Sequence, residues 1–159
     1  MTKIFIGIDT GTHKCGWAIV DEYGFLINSS VWLMHDGDKL DRLSELQTHV
    51  NKFLSIRRGF DILAVGLEEP FVGKNKKTAL VQAYAWGVLF ARFRQSVRIV
   101  YEISPTEAKV ALTSNSRASK DEMVAAVKLQ FSFDAAEDEA DAIGNALAAR
   151  SKWLETHVG

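Results

Sequence analysis

One cysteine and two prolines stand among 159 residues. The lone Cys15 excludes an intrachain disulfide and any cysteine-based metal cluster, and leaves a core-facing strand thiol as its expected role. No apolar run approaches the roughly 20 residues that cross a bilayer, and no charged-then-apolar leader opens the chain. The expectation is therefore a cytoplasmic protein that makes no use of membranes. There is no internal repeat, low-complexity tract or linker, so residues 1–159 are expected to form one domain with a real core. The four histidines show no metal-ligand spacing, and none receives a role.

What is present is uneven. The net charge of −1 gives by itself no sign of a polyanionic partner, yet Lys74 to Lys128 holds ten Lys or Arg against four Asp or Glu, a net of +6. The acids gather instead at Glu137, Asp138, Glu139 and Asp141. A basic surface beside a compact acidic cluster suits a metal-dependent enzyme acting on phosphodiesters, although solvated helix faces yield similar counts.

The organising stretch is Lys3 to Val20, KIFIGIDTGTHKCGWAIV. Ile4, Phe5, Ile6 and Ile8 are too apolar for an exposed edge strand, so Asp9 is placed at the rim of a buried sheet. Gly11 and Gly16 are read as the residues that let the chain reverse into a second strand, Trp17 to Val20. Asp21 to Gly24 reads as a turn and Phe25 to Leu33 as a third strand. Apolar residues from Leu40 to Leu54 at spacings of three and four predict an amphipathic helix from Lys39 to about Arg57, with Asp38 near its start and Gly59 at its end.

Asp61 to Glu69 reads as a fourth strand, carrying two carboxylates and stopped by Pro70. Phe71 to Lys77 is a loop with one aromatic and three lysines. A helix is expected from Thr78 to about Arg94, and a fifth strand from Val97 to Ile103. Ser104, Pro105 and Glu107 open a short helix through Ala111. Thr113 to Ala118 is polar and expected to be mobile. Ser119 begins a helix carrying Met123 and Val127, and the last helix runs from near Ala135 to about Leu154. The sum is an α/β domain with a five-stranded mixed sheet flanked by helices.

Asp138 and Asp141 are three apart and share a helix face. Asp9 and the pair Glu68 and Glu69 end two apolar strands that become neighbours if the fourth strand returns beside the first. Carboxylates so gathered suit Mg²⁺, and two such ions roughly 3.5 to 4 Å apart activate water for phosphodiester hydrolysis. Spacing alone serves a plainer reading equally well, an acidic first turn complementing the helix dipole. Asp9 taken alone reads as a strand-ending turn cap.

The ordered set IGIDTGTHKCGWAIV, GLEEPFVGKN, EAKVALTSNSRASKDEMV and EDEADAIGNALA resembles the RuvC family of Holliday-junction resolvases, which have a ribonuclease-H-like fold. The resemblance covers nearly the whole chain. It implies that Asp9, Glu68, Asp138 and Asp141 are catalytic metal ligands, with Mg²⁺ as cofactor, Mn²⁺ as substitute and two ions per site. It implies DNA contacts from Phe71, which matches the aromatic that handles the junction, and from Asn75, Lys109 and Lys120, with Arg117 in the same RASK stretch. Lys74, Lys76 and Lys77, beside Phe71, are assigned to phosphates. The chain departs from the family at Thr10, where proline is usual, and at Glu69 and Pro70.

The expected activity is paired nicking of a four-way or branched DNA by a homodimer, with the apolar faces of the Thr78–Arg94 helix as the dimer contact. No helicase partner is legible. Two other readings stand: an actin-like or sugar-kinase-like phosphotransferase fragment, from the GIDTGT corner, and a junction-binding protein without catalysis. Strand side chains alternate between faces, so only one of the two acids can face Asp9, and the family match selects Glu68, since Phe71 then falls three residues later and Asn75 four beyond that.

Overall fold

The first turns form where the sequence places turn residues. The Asp21 carboxylate accepts from the backbone N–H groups of Tyr23 and Phe25, and Gly24 takes φ of 93°. This joins β2 (Lys14–Asp21) to β3 (Leu26–Leu33), while β1 (Thr2–Asp9) pairs antiparallel with β2. The computed structural model describes residues 1–158.

Helix α1 (Lys39–Ser55) starts on Asp38, whose side chain accepts from the Asp41 N–H, and β4 (Phe60–Glu68) then runs parallel to β1. Asn75 caps α2 (Lys76–Arg94), which begins two residues before the sequence-based expectation. Strand β5 (Val100–Ile103) is shorter than expected. Val97 is buried, but its N–H donates to the Phe93 carbonyl in a turn that continues α2. Ser104 and Glu107 form the expected capping box on α3 (Pro105–Thr113).

The expected mobile stretch is instead pinned by its own groups. Thr113 Oγ1 donates to the Lys109 carbonyl and accepts from the Asn115 N–H, the Asn115 side chain accepts from the Arg117 N–H, and Ala118 is buried. Ser119 caps α4 (Lys120–Phe131), and α5 (Glu137–His157) closes the fold. The last turn of α5 extends past the expected end because Trp153 meets Phe5 edge-on and stacks on His157.

The sheet order is β3-β2-β1-β4-β5, so β4 does return beside β1. Ile4, Ile6 and Ile8 point to the side covered by α1 and α2, where they pack with Leu46, Phe53, Leu89 and Phe93. Cys15 lies in that core, fully buried. Burial, aided by the charge of Asp9, pushes its thiol well above the ordinary range and leaves it inert.

The opposite side belongs to α5, and glycines set how closely it comes. A Cβ on Gly7 would fall 2.0 Å from the Ala142 carbonyl oxygen, and one on Gly16 would fall 2.2 Å from that of Asp138. Gly16 thus lies inside β2, opposite Asp9, and makes room for the helix; it does not turn the chain as the sequence suggested.

Candidate active site

Asp9 and Glu68 lie at the ends of adjacent parallel strands, one residue beyond the aligned pair Ile8 and Leu67. The pleat directs both toward α5, because Gly7 and Gly66, two residues before each, meet the backbone of that helix. Asp138 sits over Gly16, directly beside Asp9 in the sheet, and Asp141 follows one turn later on α5. The four acids singled out in the sequence therefore meet at one end of the sheet, on two strands and one helix.

Their electrostatics follow from that crowding. Burial, hydrogen bonding to Glu68, and the charges of Glu68 and Asp141 push the Asp9 carboxyl up to about 11; a hydrogen bond to Asp138 adds to this. Asp141 rises to about 6, through burial first and the charge of Glu68 second, with Lys120 pulling the other way. Carboxyls in this condition share protons. Among the described residues no three side chains of His, Cys, Asp or Glu already stand in ligand positions around one point. The donor set still fits a hard divalent cation, since it offers only carboxylate oxygens whose mutual repulsion a cation relieves. Ligation requires proton loss and rotation of these carboxyls away from one another.

The proton affinity carries a stability consequence. An acid whose folded pKa is raised stabilises the fold below its ordinary value, near 3.8 for Asp141, and loses that contribution as pH climbs through about 6. The Asp141→Asn protein without metal is therefore expected to melt higher than wild type at pH 8, by about 1–2 kcal/mol after allowance for solvent screening, and to show no gain at pH 4. Thermal denaturation in EDTA at both pH values checks this; a lower Tm at pH 8 would contradict it.

A hollow of about 180 Å³ opens beside Glu68 and Asp141, lined also by Lys109, Lys120, Met123 and Asn145. Lys120, the first residue of α4, donates to Glu137 at the start of α5 at 3.2 Å, a contact that raises its pKa. Asn145 was not singled out in the sequence, although it is the only polar side chain between Ala142 and Ala149. It is buried; its Nδ2 donates to the Ile8 carbonyl at 2.9 Å, and its Oδ1 has no partner. It ties α5 to the residue before Asp9.

The other candidates lie outward. Phe71 is 72% exposed on the loop between β4 and α2, and Lys74, Lys76 and Lys77 are exposed beside it. The Asn75 side-chain oxygen accepts from the Lys77 and Thr78 N–H groups, which leaves only its amide N–H₂ for any other contact. Arg117 is exposed on the α3–α4 loop and lines none of the hollows around the acids. Glu69 follows the last residue of β4; its N–H donates to the Ile103 carbonyl, and it borders a small hollow with Thr10 and Phe71.

A five-stranded mixed sheet in this order, with helices on both faces and acids converging at the ends of β1 and β4, defines a ribonuclease-H-like protein. Comparison with known proteins narrows this. Residues 5–149 match the family model described as crossover junction endodeoxyribonuclease RuvC. The chain is 30% identical over 148 residues to the protein of that name from Anaeromyxobacter dehalogenans strain 2CP-1, covering 91% of this chain and 78% of that one. It is 32% identical over 146 residues to the one from Roseiflexus sp. strain RS-1, covering 89% and 87%. In fold it matches Thermus thermophilus RuvC, solved in complex with Holliday junction substrate, with a TM-score of 0.74 at 23% identity over 98% of this chain and 95% of that one. The chain belongs to the RuvC family of crossover junction endodeoxyribonucleases. The phosphotransferase reading of GIDTGT is set aside.

Proposed function

We propose that this protein resolves Holliday junctions or related branched DNA by metal-dependent nicking, with Asp9, Glu68, Asp138 and Asp141 holding two Mg²⁺ ions for which Mn²⁺ substitutes. The observation that carries the reading is the convergence of these four acids from two strands and a helix, with the proton affinities of Asp9 and Asp141 raised as crowding of carboxyls without a cation requires. Bound divalent ions supply an activated water and neutralise charge at the scissile phosphate. The chain's own residues do the rest. Lys109 and Lys120 flank the hollow at Glu68 and Asp141 and are placed to hold the backbone of the cut strand. Asn145 keeps β1 and α5 in register under the acids. Phe71 wedges at the branch point, and Lys74, Lys76, Lys77, Asn75 and Arg117 contact the flanking backbone.

Metal-dependent nicking of a labelled four-way junction, compared with linear duplex, tests the activity. Binding without nicking in Mg²⁺ or Mn²⁺ would leave a non-catalytic junction protein. Phe71→Ala is expected to slow nicking of an intact junction by about tenfold more than that of a pre-nicked one, where the cost of unstacking is already met. Equal loss on both substrates would remove the wedge role.

We further propose one domain, a homodimer and a cytoplasmic setting. Helix α2 supports the dimer. It buries Ala85, Leu89 and Phe93 in the monomer, and it leaves Leu80 and Tyr84 half exposed beside Gly87, where added bulk would meet open space. A monomeric sedimentation coefficient at working concentration would remove the dimer. No helix among the described residues is long and apolar enough to cross a membrane.

A further inference from the structure

Three hollows lie in series across the surface beside the acids. The first is the one at Glu68, Asp141, Lys109 and Lys120. The second, about 60 Å³, shares Glu68 with the first and is bordered by Thr10, Phe71 and Gln82. The third, about 570 Å³, shares Gln82 with the second and is lined by Thr12, His13, Lys14, Arg42 and Lys77. The path thus leaves the acids, passes Phe71 and ends in a basin built from the β1–β2 turn, α1 and the start of α2.

The basin's chemistry differs from that of the acid end. It holds three permanent cations, Lys14, Arg42 and Lys77, and no carboxylate lines it. None of the three forms an ion pair with Asp or Glu among the described residues. Arg42 is half-buried and fixed: its Nη1 donates to the Gly37 carbonyl, while its Nε is shielded from solvent without a partner. A guanidinium tethered by one hydrogen bond, beside two lysines and the Thr12 and Thr78 hydroxyls, matches an anionic tetrahedral oxygen group. The basin is too wide for a lone anion to be held from all sides, and its connection to the acids past Phe71 suits a continuing chain of phosphates.

Resting on the resolvase reading, we propose that this basin binds the backbone phosphates of the DNA strand that has passed Phe71, with Arg42 and Lys14 as its anchors. It is a second DNA contact, separated from the nicking site by the small Phe71 hollow. Of these residues, Thr12, His13 and Lys14 lie in the first of the stretches that carry the family resemblance, whereas Arg42, Lys77 and Gln82 lie outside all four.

The test is binding of a four-way junction, in EDTA so that nothing is cut, across a range of salt concentrations. Arg42→Gln and Lys14→Gln are each expected to lower the slope of log Kd against log salt by about one, the signature of one lost phosphate contact. Together they should weaken binding at least tenfold. Neutral methylphosphonates placed singly along the strand beyond the branch point should weaken the wild type about tenfold at one or two positions and leave the double variant unaffected there. Lys14→Gln keeps the test valid if Arg42→Gln unfolds, since the exposed Lys14 side chain makes no ion pair among the described residues. Wild-type protein that binds no branched DNA would overturn the functional reading and this proposal with it. Variants with wild-type Kd and slope would overturn this proposal alone. So would inorganic phosphate bound by the free protein and lost in Arg42→Gln while junction binding stays unchanged, because the basin would then be a small-anion site.

Discussion

Glu68→Gln is expected to abolish Mg²⁺-dependent nicking, by at least about a thousandfold in single turnover, while Glu69→Gln should keep about a tenth or more of the rate, a barrier change within roughly 1.4 kcal/mol. The reason is the pleat. Glu68 shares its face with Gly66, which meets the α5 backbone, whereas β4 ends at Glu68 and the next residue turns toward the Phe71 loop. Asp9→Asn, Asp138→Asn and Asp141→Asn are expected to match Glu68→Gln in the loss of nicking. Each should also bind the junction as well as wild type or more tightly, because each removes a carboxyl beside phosphates and adds no negative charge. Single-turnover rates and gel-shift affinities on one junction check both halves. An inactive Glu69→Gln beside an active Glu68→Gln would move the assignment by one residue.

Gly16→Ala should cost nicking about a hundredfold without any change to a charged or polar group. The added methyl would lie 2.2 Å from the Asp138 carbonyl oxygen, well inside ordinary contact, and that oxygen belongs to helix backbone that cannot swing aside. The N-terminal turn of α5 must lift, carrying the Asp138 carboxylate with it, and misplacement by about 1 Å costs on this scale. Gly7→Ala presses on the middle of the same helix, 2.0 Å from the Ala142 carbonyl oxygen, and is expected to destabilise the fold by about 3 kcal/mol or more. Gly59, where an added Cβ meets nothing within 4 Å, is the control: Gly59→Ala should leave both readouts near wild type. Denaturant midpoints and single-turnover rates for the three variants decide the matter. Wild-type nicking by a folded Gly16→Ala protein would mean that α5 tolerates displacement.

What could be read from the sequence was what local chemistry fixes. The Asp38 and Ser104 caps, the Asp21 turn and the alternation that sends Ile4, Ile6 and Ile8 to one face are written in neighbouring residues. Two apolar strands that each end in acid become neighbours only if β4 returns beside β1, and the sheet has that order. The rest depends on contacts between distant segments. Gly16 looks like a turn glycine until α5, more than a hundred residues later, is laid across it. Val97 looks like strand because it is apolar, yet its N–H remains bonded to Phe93. Asn145 sits in an alanine-rich run, and only the fold shows the Ile8 carbonyl that it serves. The basic basin is assembled from three separated segments; Lys77 stands out in the sequence beside Phe71, but only the fold brings Lys14 and Arg42 to it.

The central position of β1 bears on how the protein opens. It is hydrogen-bonded to β2 on one side and to β4 on the other, and α5 covers one face while α1 and α2 cover the other. Its amides are expected to exchange with solvent deuterium only when the whole molecule unfolds, and those of the loop from Pro70 to Asn75 at little cost. Asp9 is thus expected on the slowest-opening part of the chain and Phe71 on one of the fastest. The loop can follow a DNA branch through many openings and closings while the carboxylates beneath it keep their places.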